Sequence, residues 1–91
     1  MSTAQSIRSK LIDAFSPQHL DVIDESHLHA GHIGARPEGE THFRVEITAV
    51  VFGGVSRVER QRMIYRELSE ELTNRVHALA LKVRSPDERE L

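Results

Sequence analysis

Histidine is the residue type of this chain whose number and spacing point most directly to chemistry. The chain has 6 histidines in 91 residues, with one tyrosine, no tryptophan and no cysteine. Four of the six lie between His27 and His42, in a stretch that also carries glycine and proline. Because neutral imidazole is the commonest metal ligand and a proton carrier near pH 7, this stretch is the first candidate for a functional site.

Three of these imidazoles, on His27, His29 and His32, fall within six residues. Histidines on a glycine-containing loop can converge on one metal ion, but a structural metal site needs four ligands and a catalytic site usually three plus water. Exposed polar loop residues explain the same segment, and this simpler interpretation is favoured for the segment taken alone.

A further histidine, His77, opens the last predicted strand, in the run Val76-His77-Ala78-Leu79-Ala80-Leu81. Alternation along the strand places His77 on the same face as Leu79, Leu81 and Val83. One interpretation is a partly buried histidine that is hydrogen-bonded at a strand end. The other is a fixed ligand that faces a loop carrying the remaining ligands, and the pattern leaves both open.

Positive charge concentrates in a second segment, where Glu59 is the one acidic residue among four arginines: Arg57, Arg60, Arg62 and Arg66. The segment follows Gly53-Gly54-Val55-Ser56, and a glycine turn that leads into a helix beside arginines can hold a phosphate. A solvated helix face with local ion pairs explains the same pattern. It is favoured over strong nucleic-acid binding because the formal net charge is -2, while a weak or structure-dependent contact with DNA stays open.

Composition narrows the class of protein. No apolar run approaches the roughly 20 residues of a membrane span, and the first ten residues lack the apolar core of a signal peptide. We therefore expect a cytoplasmic protein with no membrane partner. Without cysteine, disulfides and Cys-ligated metal sites are excluded for this chain acting alone. Phosphate-loop, Gly-x-Ser-x-Gly and His-Glu-x-x-His motifs are missing from the sequence, so we predict that the chain is not an enzyme.

Periodicity predicts the elements that must position these residues. Apolar spacing and capping residues predict helices over residues 3–15 and 56–72, the second with Ser56 and Glu59 as a capping box and a break near residues 60–62. Alternation predicts strands over residues 19–24, 42–52 and 76–83, with a loop over residues 27–40. We expect one domain over residues 1–91, ordered from about residue 3 to 84, with a flexible tail over residues 85–91. Three strands covered by helices on one face make a two-layer α+β fold.

Several segments, in this order along the chain, resemble the BolA family. They are Glu40-Thr41-His42-Phe43-Arg44-Val45, Phe52-Gly53-Gly54-Val55-Ser56, Arg60-Gln61-Arg62-Met63-Ile64-Tyr65, Glu70-Glu71-Leu72 and Val76-His77-Ala78-Leu79-Ala80-Leu81. The likeness runs from about Ile7 to Arg84. It implies a fold like the class II KH domain, with the order αββααβ and a three-stranded mixed sheet.

The resemblance also implies a non-enzymatic function. Members of the family pair with a monothiol glutaredoxin and share a [2Fe–2S] cluster with it, with glutathione as a thiol ligand on the glutaredoxin side. The implied role is cluster trafficking or maturation, or iron regulation. The family's histidine at the start of the last strand corresponds to His77. Its second ligand comes from the loop between the first two strands, which favours His29, with His32 as the alternative.

The residues agree with this chemistry, because a chain without cysteine can offer only nitrogen or oxygen to a cluster that needs four ligands. Histidine ligation raises the reduction potential of such a cluster and makes binding proton-sensitive. Some bacterial members of the family are DNA-binding regulators of stress, morphology or biofilm formation. The alternative function is therefore DNA binding through the KH-like fold and the four arginines. We expect the free protein to be a monomer or a weak homodimer.

Overall fold

The structure is a computed structural model that describes residues 2–26 and 41–88. The predicted loop over residues 27–40 lies outside the described residues. Three helices and three strands follow one another as α1 (Thr3–Phe15), β1 (His19–Asp24), β2 (His42–Thr48), α2 (Arg57–Glu67), α3 (Ser69–Asn74) and β3 (Ala78–Arg84). The order αββααβ that the resemblance implied is confirmed.

Helix α1 is bounded by local signals that the sequence carries. The Ser2 hydroxyl accepts the main-chain N–H of Gln5, whose side chain returns to the Ser2 N–H, so a capping box opens the helix. Ser16 ends the helix in the left-handed region, with φ of 46°, and the following Pro17 cannot continue it. The predicted bounds of this helix, and those of β1, are confirmed.

The sheet has the order β1-β2-β3, with β1 antiparallel and β3 parallel to the central strand β2. The parallel register pairs His42 with Ala78 and Thr48 with Arg84. Because parallel strands run in the same direction, the starts of β2 and β3 meet at one end of the sheet. The antiparallel register places His19, at the start of β1, opposite Thr48 at the other end.

The core lies between one face of the sheet and the helices. From β2 it takes Phe43, Val45 and Ile47, each at most 2% exposed, as the alternation predicted. Ile7 and Leu11 of α1 and Ile64 of α2 complete its centre. The rings of Phe15 and Phe52 meet with centroids 5.1 Å apart. Burying each large apolar side chain contributes about 1.5–3 kcal/mol to folding.

Three predicted boundaries are wrong. β2 ends at Thr48, and Val50–Phe52 form a 3₁₀ turn that buries Phe52. Apolar residues continue through this turn, so alternation alone could not show the end of the strand. The second helical segment breaks at Leu68 and not near Arg60: Leu68, with φ of -102° and ψ of 17°, leaves the helical region while its side chain stays buried. β3 begins at Ala78, so His77 lies just before it.

The chain beyond β3 is held against the domain as far as the structure describes it. Ser85 is buried, and the Glu88 carboxylate accepts its main-chain N–H and its hydroxyl. The same carboxylate binds Arg60 Nη1 at 2.7 Å. The predicted flexible tail covered residues 85–91, and its last three residues lie outside the described part of the chain. The packed domain thus extends to Glu88.

An ion pair links α1 to α3. Lys10 of α1 binds both carboxylate oxygens of the buried Glu71 in α3, at 2.9 and 3.0 Å. The hydrogen bond that the Lys10 ammonium donates to the Glu71 carboxylate raises the pKa of Lys10. Within residues 2–26 and 41–88, the helices are all too short or too polar to span a bilayer.

The Glu88 carboxylate predicts an acid-dependent loss of stability. The Ser85 N–H, then the Arg60 guanidinium and the Ser85 hydroxyl, lower the pKa of Glu88 from 4.5 to about 2. Between these two values the unfolded chain binds more protons at this site than the folded chain does, so the contribution is complete above pH 4.5 and is lost as the pH falls toward 2. Urea unfolding at several pH values should show a shallower acid loss for Glu88→Gln than for wild type. Parallel curves would show that Glu88 does not stabilise the fold.

Candidate functional site

His77 occupies a bend immediately before β3 and is exposed to solvent. Its main-chain N–H donates to the Thr41 carbonyl at 2.7 Å, and the N–H of Ala78 donates to the same oxygen at 3.1 Å. The backbone of His77 is therefore fixed while its imidazole remains accessible. The interpretation of His77 as a partly buried histidine that is hydrogen-bonded at a strand end is wrong about burial, because His77 is exposed and only its main chain is hydrogen-bonded in this way.

The His42 ring lies against His77. The two ring centroids are 5.3 Å apart, with the ring planes inclined by 52°. His77 is exposed, whereas His42 is only 6% exposed. The Nδ1 atom of His42 lies 2.8 Å from the hydroxyl of Thr41. One accessible imidazole thus rests beside one that is buried and hydrogen-bonded.

Ser26 joins the other side of this arrangement. Its hydroxyl oxygen accepts the main-chain N–H groups of Thr41, at 2.9 Å, and His42, at 3.1 Å. Ser26 and Thr41 are the two described residues that flank residues 27–40, and both are buried. Both ends of the histidine-rich segment are therefore fixed at the start of β2, beside His77.

Among residues 2–26 and 41–88, no group of three metal-ligating side chains comes together. His77 lies beside Ser26 and Thr41, the two residues that flank the histidine-rich segment. The predicted loop ligands, His29 and His32, lie outside the described residues. At this end of the sheet, the described residues thus place one exposed imidazole, that of His77, beside the two residues that flank the histidine-rich segment.

The four arginines Arg57, Arg60, Arg62 and Arg66 do not lie together on one solvated face of the helix. Arg60 turns inward and is 9% exposed. Its Nε donates to the Val55 carbonyl at 2.9 Å and its Nη1 to the Val83 carbonyl at 3.2 Å. Arg62 and Arg66 lie on the exposed side of α2, both within reach of the Glu59 carboxylate. The Glu59 carboxylate therefore binds arginines, while the Glu59 main-chain N–H donates to the Ser56 hydroxyl, which caps the helix as predicted.

Arg57 contributes to a different basic surface. A groove of about 580 Å³ lies between the start of α2 and β3. Its basic lining residues come from both elements and from β2: Arg44, Arg57, Arg60, Lys82 and Arg84. Glu88 also lines it, and Glu25 binds Arg44 at 3.0 Å. Even so, positive charge exceeds negative charge here, in a chain whose net charge is -2.

A family model described as "BolA-like protein" matches residues 11–88. The chain belongs to the BolA-like protein family. The matched range includes the start of β2, His77 and the residues that line the groove.

Curated relatives support the same assignment. The chain is 47% identical over 89 residues to "Uncharacterized protein in cobS 5'region" from Sinorhizobium sp., covering 97% of this chain and 96% of that protein. It is 39% identical over 88 residues to "DNA-binding transcriptional regulator BolA" from Haemophilus influenzae, covering 97% and 82% of the two chains. It spans 56% of the length of "BolA-like protein 1" from Pongo abelii, at 44% identity over 81 residues and 89% of this chain.

Solved BolA structures confirm the fold. The "BolA1 from Arabidopsis thaliana" structure superposes with a TM-score of 0.87 at 34% identity, over 99% of both chains. The "BolA domain of SufE1 from Arabidopsis thaliana" gives a TM-score of 0.88 at 40% identity, over 98% of both chains. The two-layer α+β fold of this BolA-family chain is therefore confirmed.

His42 is the residue that sequence patterns missed. It reads as the first residue of an alternating strand, and only the parallel register brings it to His77. The burial of Arg60 could have been found, because Ile64 and Leu68 follow it at intervals of four residues on the buried face of the helical segment.

Arg60 is expected to stabilise the BolA-like fold. Its removal leaves two carbonyl groups and Glu88 without a charged donor, so Arg60→Ala should lower the free energy of unfolding by about 2–3 kcal/mol. Arg62→Ala, on the exposed side of the same helix, is the matched control and should change it by less than about 0.5 kcal/mol. Urea unfolding of both variants measures the two changes in the free energy of unfolding. Equal effects would contradict a structural role for Arg60.

Proposed function

We propose that this BolA-family chain is a non-enzymatic cytoplasmic protein that pairs with a monothiol glutaredoxin. The pair binds a shared [2Fe–2S] cluster in iron–sulfur trafficking or iron regulation. The observation that carries the proposal is the position of His77, whose exposed imidazole stands on a fixed backbone beside both ends of the histidine-rich segment.

The donor set fits such a cluster. His77 offers an accessible nitrogen, and the absence of cysteine means that thiolate ligands must come from elsewhere. Two histidines from this chain and two thiolates from the glutaredoxin side would complete four ligands. When bound, the cluster would supply electron transfer or iron for delivery, while this chain's residues would hold it and set its proton sensitivity.

Covalent reach favours His29 as the second ligand. His29 lies three positions after Ser26, a span of about 11 Å at full extension, whereas His32 lies six positions after it, a span of about 20 Å. Since Ser26 is tied through Thr41 to His77, the shorter covalent span supports His29 over His32 as the second ligand. His32 remains the alternative ligand when His29 is removed.

The two ligand positions should respond unequally to mutation. After co-expression with a monothiol glutaredoxin, His77→Ala should abolish the visible circular-dichroism spectrum of the cluster, because the neighbouring His42 is buried and held by the Thr41 hydroxyl and so should not replace it. His29→Ala should weaken or alter the spectrum, with His32 replacing the missing ligand. The double variant at His29 and His32 should resemble His77→Ala.

His19→Ala provides the matched control, because His19 is an exposed histidine at the opposite end of the sheet. It should leave the spectrum unchanged. His77→Ala should retain apo-complex formation and should change the free energy of unfolding by less than about 0.5 kcal/mol, as an exposed residue does. A large loss of stability with the cluster still bound would make His77 a structural residue and remove the proposal.

A second candidate function is DNA binding, which the groove between α2 and β3 favours. Its basic side chains come from two strands and a helix, and a relative at 39% identity bears the name of a DNA-binding regulator. We propose that DNA phosphates would contact Arg57 and Lys82 at this groove. The exposed Arg62 and Arg66 share Glu59, and Arg60 is bound to main-chain carbonyls.

The salt dependence of DNA binding separates these surfaces. Each lost phosphate contact lowers the slope of log K against log salt by about one unit. The double variant of Arg57 and Lys82 to alanine should therefore lower the slope by about two units. The matched double variant of Arg62 and Arg66 should leave it nearly unchanged. A larger effect of the second pair would place DNA on the exposed side of α2, and no binding at low salt would exclude this function.

A further inference from the structure

Three buried polar residues at the start of β2 form a connected cluster that the proposed ligands do not include. Ser26, Thr41 and His42 are 6%, 1% and 6% exposed. A small domain buries polar groups at a cost unless each is hydrogen-bonded, and here hydrogen bonds connect Ser26 to Thr41 and His42, and Thr41 to His42. We call this cluster the clasp.

The clasp connects three parts of the chain. Through the Ser26 hydroxyl it joins the chain that follows β1 to the main chain of Thr41 and His42. Through the Thr41 carbonyl it joins β2 to His77 and Ala78. The N–H of Ser26 is itself held by the Asp24 carboxylate at 2.9 Å. The clasp therefore fixes both flanks of residues 27–40 to the start of β3.

One path within the clasp ends on the His77 side chain. The Thr41 hydroxyl lies 2.8 Å from His42 Nδ1, which fixes the His42 ring, and that ring rests 5.3 Å from the His77 ring between centroids. The backbone of His77 is held by a carbonyl that any residue at position 41 would supply. The Thr41 hydroxyl therefore affects the orientation of the His77 imidazole through the His42 ring and not through the main chain.

We infer that Thr41 and His42 are positioning residues, which hold the His77 imidazole ready to accept a metal from a partner. The inference rests on the proposed function for its purpose, but the ordering of His77 is a property of the free chain and can be measured there. Outer-shell partners of metal ligands orient the ligand ring, and their loss typically lowers metal affinity about 10–100-fold.

The test compares Thr41→Val, which removes the hydroxyl at nearly constant shape, with Thr41→Ser, which retains a hydroxyl. In the free chain, ring-to-ring nuclear Overhauser effects between His42 and His77 should be lost in Thr41→Val and present in Thr41→Ser. In the pair with a monothiol glutaredoxin, Thr41→Val should shorten cluster retention about tenfold and alter its circular dichroism, and Thr41→Ser should restore both. Ile7→Val, a core change in α1, controls for a general loss of stability.

The outcomes separate the two proposals. Ring contacts that persist in Thr41→Val would overturn the positioning role, as would an unchanged cluster spectrum after the contacts are lost. An equal loss of cluster in Ile7→Val would also overturn it, because stability alone would then explain the effect. A wild-type pair that binds no cluster would refute the proposed function, and the positioning role would fall with it whatever the ring contacts show.

Discussion

The Thr41 carbonyl accepts hydrogen bonds from the main chain of both His77 and Ala78, and the arrangement of the molecule depends on this contact. It starts the parallel pairing of β2 with β3, and a parallel pair needs a long crossover, which α2 and α3 supply. Because the two strands begin together, residues more than 30 positions apart in sequence meet at one end of the sheet. The accessible imidazole, its buried neighbour and the flanks of the histidine-rich segment are neighbours for that reason alone.

Charged residues help to assemble a domain whose core is small. Ten hydrophobic residues of the described part are buried, and a chain of this size buries a modest fraction of its surface. Arg60 joins the start of α2 to β3 and to the chain beyond it, while the buried Glu71 joins α3 to Lys10 of α1. The Arg60 contact with Val83 lies near the end of β3, away from His77 at its start. The Glu71 contact lies closer to His77, because the Glu71 carbonyl also accepts the main-chain N–H of Val76.

The sequence predicts most of the fold because each element carries its own local signal. The capping residue at the start of α1, the alternation of β2 and the cap at Ser56 are local, and the structure confirms them. The break at Leu68 was missed because no proline or glycine marks it, and tertiary packing sets it. His42 was missed because its contact with His77 depends on strand register. The burial of Arg60 was missed because its charge grouped it with the other three arginines on a solvated helix face, although Ile64 and Leu68 follow it at intervals of four residues. The resemblance to the BolA family implied that His77 is a ligand, and the structure shows that His77 is exposed.

The bond from Arg60 to the Val83 carbonyl also bears on how copies of this protein behave in a crowded solution. β3 lies at the edge of the sheet, and an edge strand with open main-chain groups is a template on which another chain can add a strand. Arg60 occupies one of those acceptors, and Lys82 and Arg84 place positive charge along the same strand. The guanidinium that fastens the helix to the sheet therefore also discourages edge-to-edge aggregation.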